Sequence, residues 1–318
     1  MLILVLNQKK VRVYFLPIFV PKILACKPAL FIHEAVTHKL NKKPMTGILA
    51  QIITLTSFGN EYLLNGELND FFPNHSSFEH CRSIQFIANK KKNLFSSKSE
   101  IIVAENPEFW FELLKKENCK KLRLYFQTSK ADDHKSAGFV GGGGNWFIEA
   151  VYKNHSDFWI SRWEPDRENN AWKVTYIKAV EKKPIINQQN SIIETKEKLK
   201  NILEKITDFA KKETSGNWSN IFETALNCLE NEHPESDFYH ADLIKFENYE
   251  LQNRQLLMSA SKSFVFGGMG SWNDMSFEPK EKEELYNSLS NELYDIMNKS
   301  IVYSINKDKI EKPVGNTV

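Results

Sequence analysis

Read for the spacing of its apolar and polar positions, the chain changes period past its middle. Up to about residue 180 the apolar runs are short and rich in β-branched and aromatic residues, which predicts strands. They are 48–55 (ILAQIITL), 83–88 (SIQFIA), 101–104 (IIVA) and 121–127 (KLRLYFQ); in the last, Leu122, Leu124 and Phe126 point one way and Arg123 and Tyr125 the other. Between 104 and 121 lies a helix signal. Asn106 is placed to cap it, Pro107 takes the first helical position, where its missing N–H costs nothing, and Phe109, Trp110, Leu113 and Leu114 form the apolar face. Strand, helix and strand in succession predict a right-handed parallel crossover between 101–104 and 121–127.

Three further runs, 146–153, 158–164 and 172–179, are joined by NHSD and PDRENNA, which are turn sequences, so they predict an antiparallel meander. Its tryptophans (Trp146, Trp159, Trp163, Trp172) read as sheet packing, because a base-stacking platform would come with basic residues. Beyond a soft boundary at EKKPIINQQNS the period becomes helical. Leu199, Ile202, Leu203, Ile206, Phe209 and Ala210 recur at helical spacing, as do Trp218, Ile221, Phe222, Ala225, Leu226 and Leu229 after a break at Ser215-Gly216. A last helix starts near Lys280 with Leu285, Leu289, Leu293, Ile296 and Met297 on one face. The expected class is α+β: a mixed sheet, made of a parallel crossover and a three-stranded antiparallel meander, covered by helices mainly from the C-terminal half. The expected division is a sheet-rich part over 45–185, a helical part over 186–304 packing on it as one domain, and a polar tail over 305–318.

Charge alters the picture only at the start of the chain. Residues 1–44 hold eight Lys or Arg against one acid, Glu34, while 45–318 hold 34 basic and 39 acidic residues, a net of −5. A body of that sign has no electrostatic footprint for a phosphate backbone, which excludes general nucleic-acid binding. The apolar stretch at 13–21 is broken by Pro17 and Pro21 and is too short to span a bilayer. Residues 1–44 are therefore expected to be a dispensable basic extension ahead of a natural start at Met45; the alternative is an export signal with a lipoprotein-like site at Cys26. The four cysteines (Cys26, Cys81, Cys119, Cys228) form no paired motif, so they predict neither a zinc knuckle nor a disulfide scaffold and suit a reducing cytoplasm.

Candidate chemistry is sparse. HEAVTH (His33 to His38) and the pair His75 and His80 space their histidines five apart, about 140° around a helix, so neither chelates zinc as H-E-x-x-H does. The second pair reads as a surface loop. Ser259 and Lys262 match S-x-x-K without any K-T-G partner and sit at the end of a helical pattern. The polar connection after Gln127 carries Asp132, Asp133 and His134, which can serve as acid, base or cation ligands, although a solvated loop is the plainer reading.

The sharpest feature is a repeated hexapeptide: GGGGNW at 141–146 and GGMGSW at 267–272, which together hold seven of the chain's thirteen glycines. Structurally, each is a tight passage needing positive φ, closed by a tryptophan on the sheet. Functionally, successive backbone N–H groups form an anion nest. The structural reading is favoured, and the two loops are expected to lie side by side and shape the principal pocket. The ligand-binding candidates are Gly141, Gly142, Gly143, Gly144, Asn145, Trp146, Gly267, Gly268, Gly270, Ser271, Trp272 and Asn273, with Asp274 joining Asp132, Asp133 and His134 as a possible catalytic group. No cofactor is assignable. The expected function is a cytosolic binding or protein-interaction module with no assignable catalytic activity; the alternative is an enzyme acting on a small anionic or phosphorylated substrate between the two loops. The partner is accordingly an unknown protein or a small anion.

Overall fold

The structure, a computed structural model, describes residues 45–89, 100–129, 133–138, 142–182, 191–268 and 270–306. The basic extension 1–44, most of the polar tail, the 183–190 part of the soft boundary, Asp132 and Gly141 lie outside them.

The first apolar run is a helix, not a strand. α1 spans Gly47–Asn65: Thr46 caps it by accepting from Leu49 N–H at 3.3 Å, and Gly66 closes it in the left-handed region at φ 89°. The run of β-branched residues at 48–55 misled because a buried helix is apolar on every side, so periodicity cannot tell it from a buried strand; only the length beyond Leu55 decides. Leu49, Ile52, Ile53 and Leu55 are all buried. Gly59 lets this helix approach the sheet: a Cβ there would come within 2.4 Å of the Leu122 side chain.

Among the described residues there are six strands: β1 (Cys81–Asn89), β2 (Glu100–Ala104), β3 (Lys121–Gln127), β4 (Asn145–Val151), β5 (Ser156–Asp166) and β6 (Ala171–Lys182). They form one mixed sheet in the order β2-β1-β6-β5-β4-β3, in which only β1 and β6 are parallel neighbours. The meander β4-β5-β6 is antiparallel as its turns predict, with Ile148 opposite Trp159 and Trp163 opposite Val174. The proposed crossover pair is not adjacent. β2 and β3 occupy opposite edges of the sheet with four strands between them, and β2 instead pairs antiparallel with β1. A local strand-helix-strand pattern gives the relative direction of two strands, but later strands are free to insert between them.

α2 (Pro107–Lys116) begins on Asn106, whose Oδ1 accepts from Phe109 N–H at 2.9 Å. Its buried face is Trp110, Phe111 and Leu114, while Phe109 stays 52% exposed, so the expected stripe is rotated by about one residue position. Trp110 stacks on Phe86 at 4.3 Å, and Phe86 stacks in turn on Tyr176 at 5.1 Å, which ties α2 to the middle of the sheet. α1 and α7 (Lys280–Ile305) lie against β3, α4 (Ile192–Glu213), α5 (Trp218–Cys228) and α6 (Leu251–Lys262) pack on one another, and α4 and α6 also pack on α7. The short α3 (Asp133–Ser136) follows β3. On α7 the buried face takes Tyr286 in place of the expected Leu285, which is 51% exposed.

Candidate functional site

The two glycine loops are both anchored on α3 and the turn that follows it. Gly138 lies so close to Gly267 that a Cβ on the first would stand 1.9 Å from the carbonyl oxygen of the second. Asn273 Nδ2 donates to His134 O at 2.8 Å and to Gly267 O at 3.4 Å, which joins the second loop to α3. In the first loop Gly143 and Gly144 have φ of 76° and 83°, where only glycine is unstrained. Gly143 N–H donates to Ser136 Oγ at 3.0 Å, and its carbonyl accepts from Tyr294 on α7 at 2.5 Å. In the second loop Trp272 is fully buried; its indole N–H donates to Ser290 on α7 at 2.8 Å and its carbonyl accepts from Tyr286. Trp146, half-buried on β4, packs on Phe126 at 4.7 Å.

This arrangement uses the polar groups of the loops internally. Gly270 N–H donates to the Asp274 carboxylate, so Asp274 closes its own turn. Asp133 and His134 are not a solvated loop, being only 3% and 1% exposed. Asp133 accepts from Ser129 N–H at 2.7 Å and Ser129 Oγ at 2.6 Å, and the His134 ring meets Phe266 edge-on at 6.0 Å. The solvated loop that composition suggests is therefore corrected: α3 buries both residues, and Asp133 serves Ser129 locally. Among the described residues no group of three or more His, Cys, Asp or Glu is arranged to hold a metal ion.

The open space beside the loops is lined by other residues. Two adjoining clefts of about 710 and 400 Å³ run between β3 and α7 and share Phe126, Thr128 and Asp295. No glycine of either hexapeptide lines them. Their charged groups are the carboxylates of Asp133, Glu292 and Asp295 and one ammonium, Lys299, bonded to Asp295 at 2.6 Å, so the groove is net acidic. Asp133 reaches it beside Ser129, to which it is bonded, on an α3 that packs against α7; Glu292, Asp295 and Lys299 reach it because they project from the α7 face turned toward the β3 edge.

A second polar cluster carries no signal in the sequence, since its members lie more than 160 residues apart. His75, expected on the surface, is 4% exposed. Its Nδ1 accepts from Ser77 N–H at 3.1 Å, and its Nε2 lies 2.6 Å from the carbonyl oxygen of Asp242. A carbonyl only accepts, so the ring proton sits on Nε2 and the ring is neutral. Ser76 N–H donates to Asp242 Oδ2 at 2.8 Å, and the Ser76 hydroxyl donates to Asp242 Oδ1. That hydroxyl has one proton, so His240 Nδ1, 2.7 Å away, must carry its own and donate to Ser76 Oγ. In this arrangement the bonds of Ser76, His240 and Asp242 tie two distant loops together, and the cluster acts as a latch between them.

Burial holds the pKa values of His75 and His240 below the ordinary histidine value, against the opposing pull of Asp242. Burial acts on Asp242 in the raising direction, but hydrogen bonds from Ser76 and the nearby His75 outweigh it and hold the carboxyl low. Burial pushes the Cys81 and Cys119 thiols up to about 11 and about 12, which makes them packing residues at neutral pH. The S-x-x-K pair stays inert: Ser259 is fully buried in α6, while Lys262 Nζ donates to Ser236 O at 3.3 Å. No protein-family model, no curated protein and no solved structure matches this chain.

Proposed function

We propose that the chain is a binding module, with the groove between β3 and α7 as its ligand site. The observation that carries this reading is the groove itself: an open cleft of about 710 Å³ adjoining one of about 400 Å³, walled by aromatic side chains and bearing a few directed polar groups. Phe126 and Tyr303 supply apolar surface, and Glu292 and Asp295 supply charge. The alternative of an enzyme for a phosphorylated substrate draws less support, because the N–H groups of Gly143 and Gly270 donate within the protein and the groove is acidic. A reducing, cytoplasmic setting fits three free cysteines with no disulfide among the described residues. Among those residues no helix is long and apolar enough to cross a membrane.

The test is a thermal-shift screen of the full chain against amines, carboxylates, phosphates and short peptides, repeated on Thr128→Trp, which fills the groove from its exposed rim. Cationic compounds should raise the melting temperature of the parent and leave that of the variant unchanged. A response that survives in the variant, or no response from any class, removes the groove as the site.

A further inference from the structure

β3 is an edge strand, and its free edge is treated in two different ways along its length. Backbone groups alternate sides along a strand, so Leu122, Leu124 and Phe126 turn theirs away from β4. At Leu122 the N–H donates to Asn60 Oδ1 at 2.7 Å, and the carbonyl accepts from Asn60 Nδ2 at 2.9 Å. Leu124 is paired in the same manner with Asn306, at 2.7 Å for both bonds. Each asparagine amide thus imitates one residue of a neighbouring strand, Asn60 from α1 and Asn306 from the end of α7. Among the described residues no side chain bonds the backbone at the next edge position, Phe126, or at Thr128, which continues the chain just past the end of the strand. The groove opens at those two positions.

We infer that this groove takes an extended, basic peptide segment of a protein partner, which adds to the β3 edge at Phe126 and Thr128. The inference rests on the binding-module reading and names the partner. Main-chain bonds to an open edge bind extended chains of many sequences, while the flanking side chains select among them. Here selection is by charge: Glu292 and Asp295 face the added strand with Asp133 at one end, against the single Lys299. Lysine or arginine at alternate positions of the incoming strand would reach α7 on one face, because alternate residues of a strand share a face. The groove follows α7 from Ser288 to Tyr303, a rise of about 22 Å at 1.5 Å per residue. At about 3.3 Å per residue, that length holds an extended segment of roughly six or seven residues. The asparagine pairing sets the register, since a strand extended past Phe126 would collide with Asn306. An edge closed at two positions and left open at the third is a bounded site, whereas a bare edge would invite pairing without limit.

The experiment is a selection from a displayed random heptapeptide library on the full chain, followed by affinity measurements on synthetic winners. Enriched sequences should alternate Lys or Arg with β-branched or aromatic residues. Methylating alternate backbone nitrogens of a winner should weaken it at least about tenfold, as should Glu292→Lys or Thr128→Pro in the protein, and raising the salt should weaken it further. Thr128 is exposed and lies beyond the strand, so folding of the proline variant is checked by its melting temperature. Winners that need Glu292 but ignore backbone methylation overturn strand addition and leave the binding-module reading in place. Acidic winners, or no enrichment at all, overturn the inference, and the module reading then depends on the small-molecule response to Thr128→Trp.

Discussion

Two polar junctions hold distant parts of this chain together, and they are built from opposite materials. The glycine junction joins the two repeated hexapeptides to α3 and α7 through backbone groups, an asparagine amide, serine and tyrosine hydroxyls and one indole. The histidine junction ties the turn at 75–77 to the loop at 240–242 through two imidazoles, a carboxylate and serine hydroxyls. The first is crowded, and its bonds use groups that do not titrate near neutral pH. The second contains two histidines and a carboxylate, all held below their ordinary pKa values, so it is the junction that responds to acid. The glycine repeat thus marks steric necessity in its first copy, at Gly142, Gly143 and Gly144, while Gly268 and Gly270 of the second have open space where a Cβ would stand; the chemically richer cluster lies where the sequence shows no pattern.

The largest effect is expected at the indole that closes the second loop. Trp272→Ala removes a fully buried ring packed on Phe222 and Trp218 and leaves Ser290 without its donor, so about 3–5 kcal/mol of stability should be lost in urea unfolding. A loss below about 1 kcal/mol would mean the loop is not anchored as described. Gly143→Val comes next. Its φ of 76° is strained for any β-branched residue, and its Cβ would stand 2.7 Å from Ala137 and 2.8 Å from the Tyr294 hydroxyl, so roughly 2–4 kcal/mol is expected.

The third prediction separates the junctions by pH. His75 and His240 have folded-state pKa values below their ordinary 6.5, so the unfolded chain binds protons first as the pH falls. Their contribution is complete above about pH 6.5 and is lost progressively below it, with a slope of at most about 1.4 kcal/mol per pH unit for each histidine. Asp242, also held low, extends the loss below its ordinary 3.8. His75→Gln should flatten the slope between pH 7 and 5 and Gly143→Val should leave it as steep; equal slopes in parent and His75→Gln would show that the latch is not the sensor.

The smallest effect is expected within the second hexapeptide. Gly268 has open space around its would-be Cβ and no positive φ, in contrast with Gly143, so Gly268→Ala should change stability by less than about 0.5 kcal/mol. A loss as large as that of Gly143→Val would mean that both loops are sterically constrained alike.

What the sequence determined by itself was local. The antiparallel meander was legible because its turns are short and their residues specific, and α2 because Asn106 and Pro107 mark its start; α4, α5 and α7 show the helical period along amphipathic faces. The α+β class follows from that list. Tertiary structure alone decided the rest, because it depends on which distant groups share a neighbourhood. It made α1 a helix through burial on all sides, sent β2 and β3 to opposite edges, and buried Asp133 and His134 in a loop that composition marks as solvated. It set Asn60 and Asn306 against one strand edge and brought Ser76 to His240. Local signals arise from the energetics of a few neighbouring residues; contacts between groups more than 100 residues apart leave no periodicity in the chain, because the side chains that meet there are selected by shape and hydrogen bonding after the elements have formed.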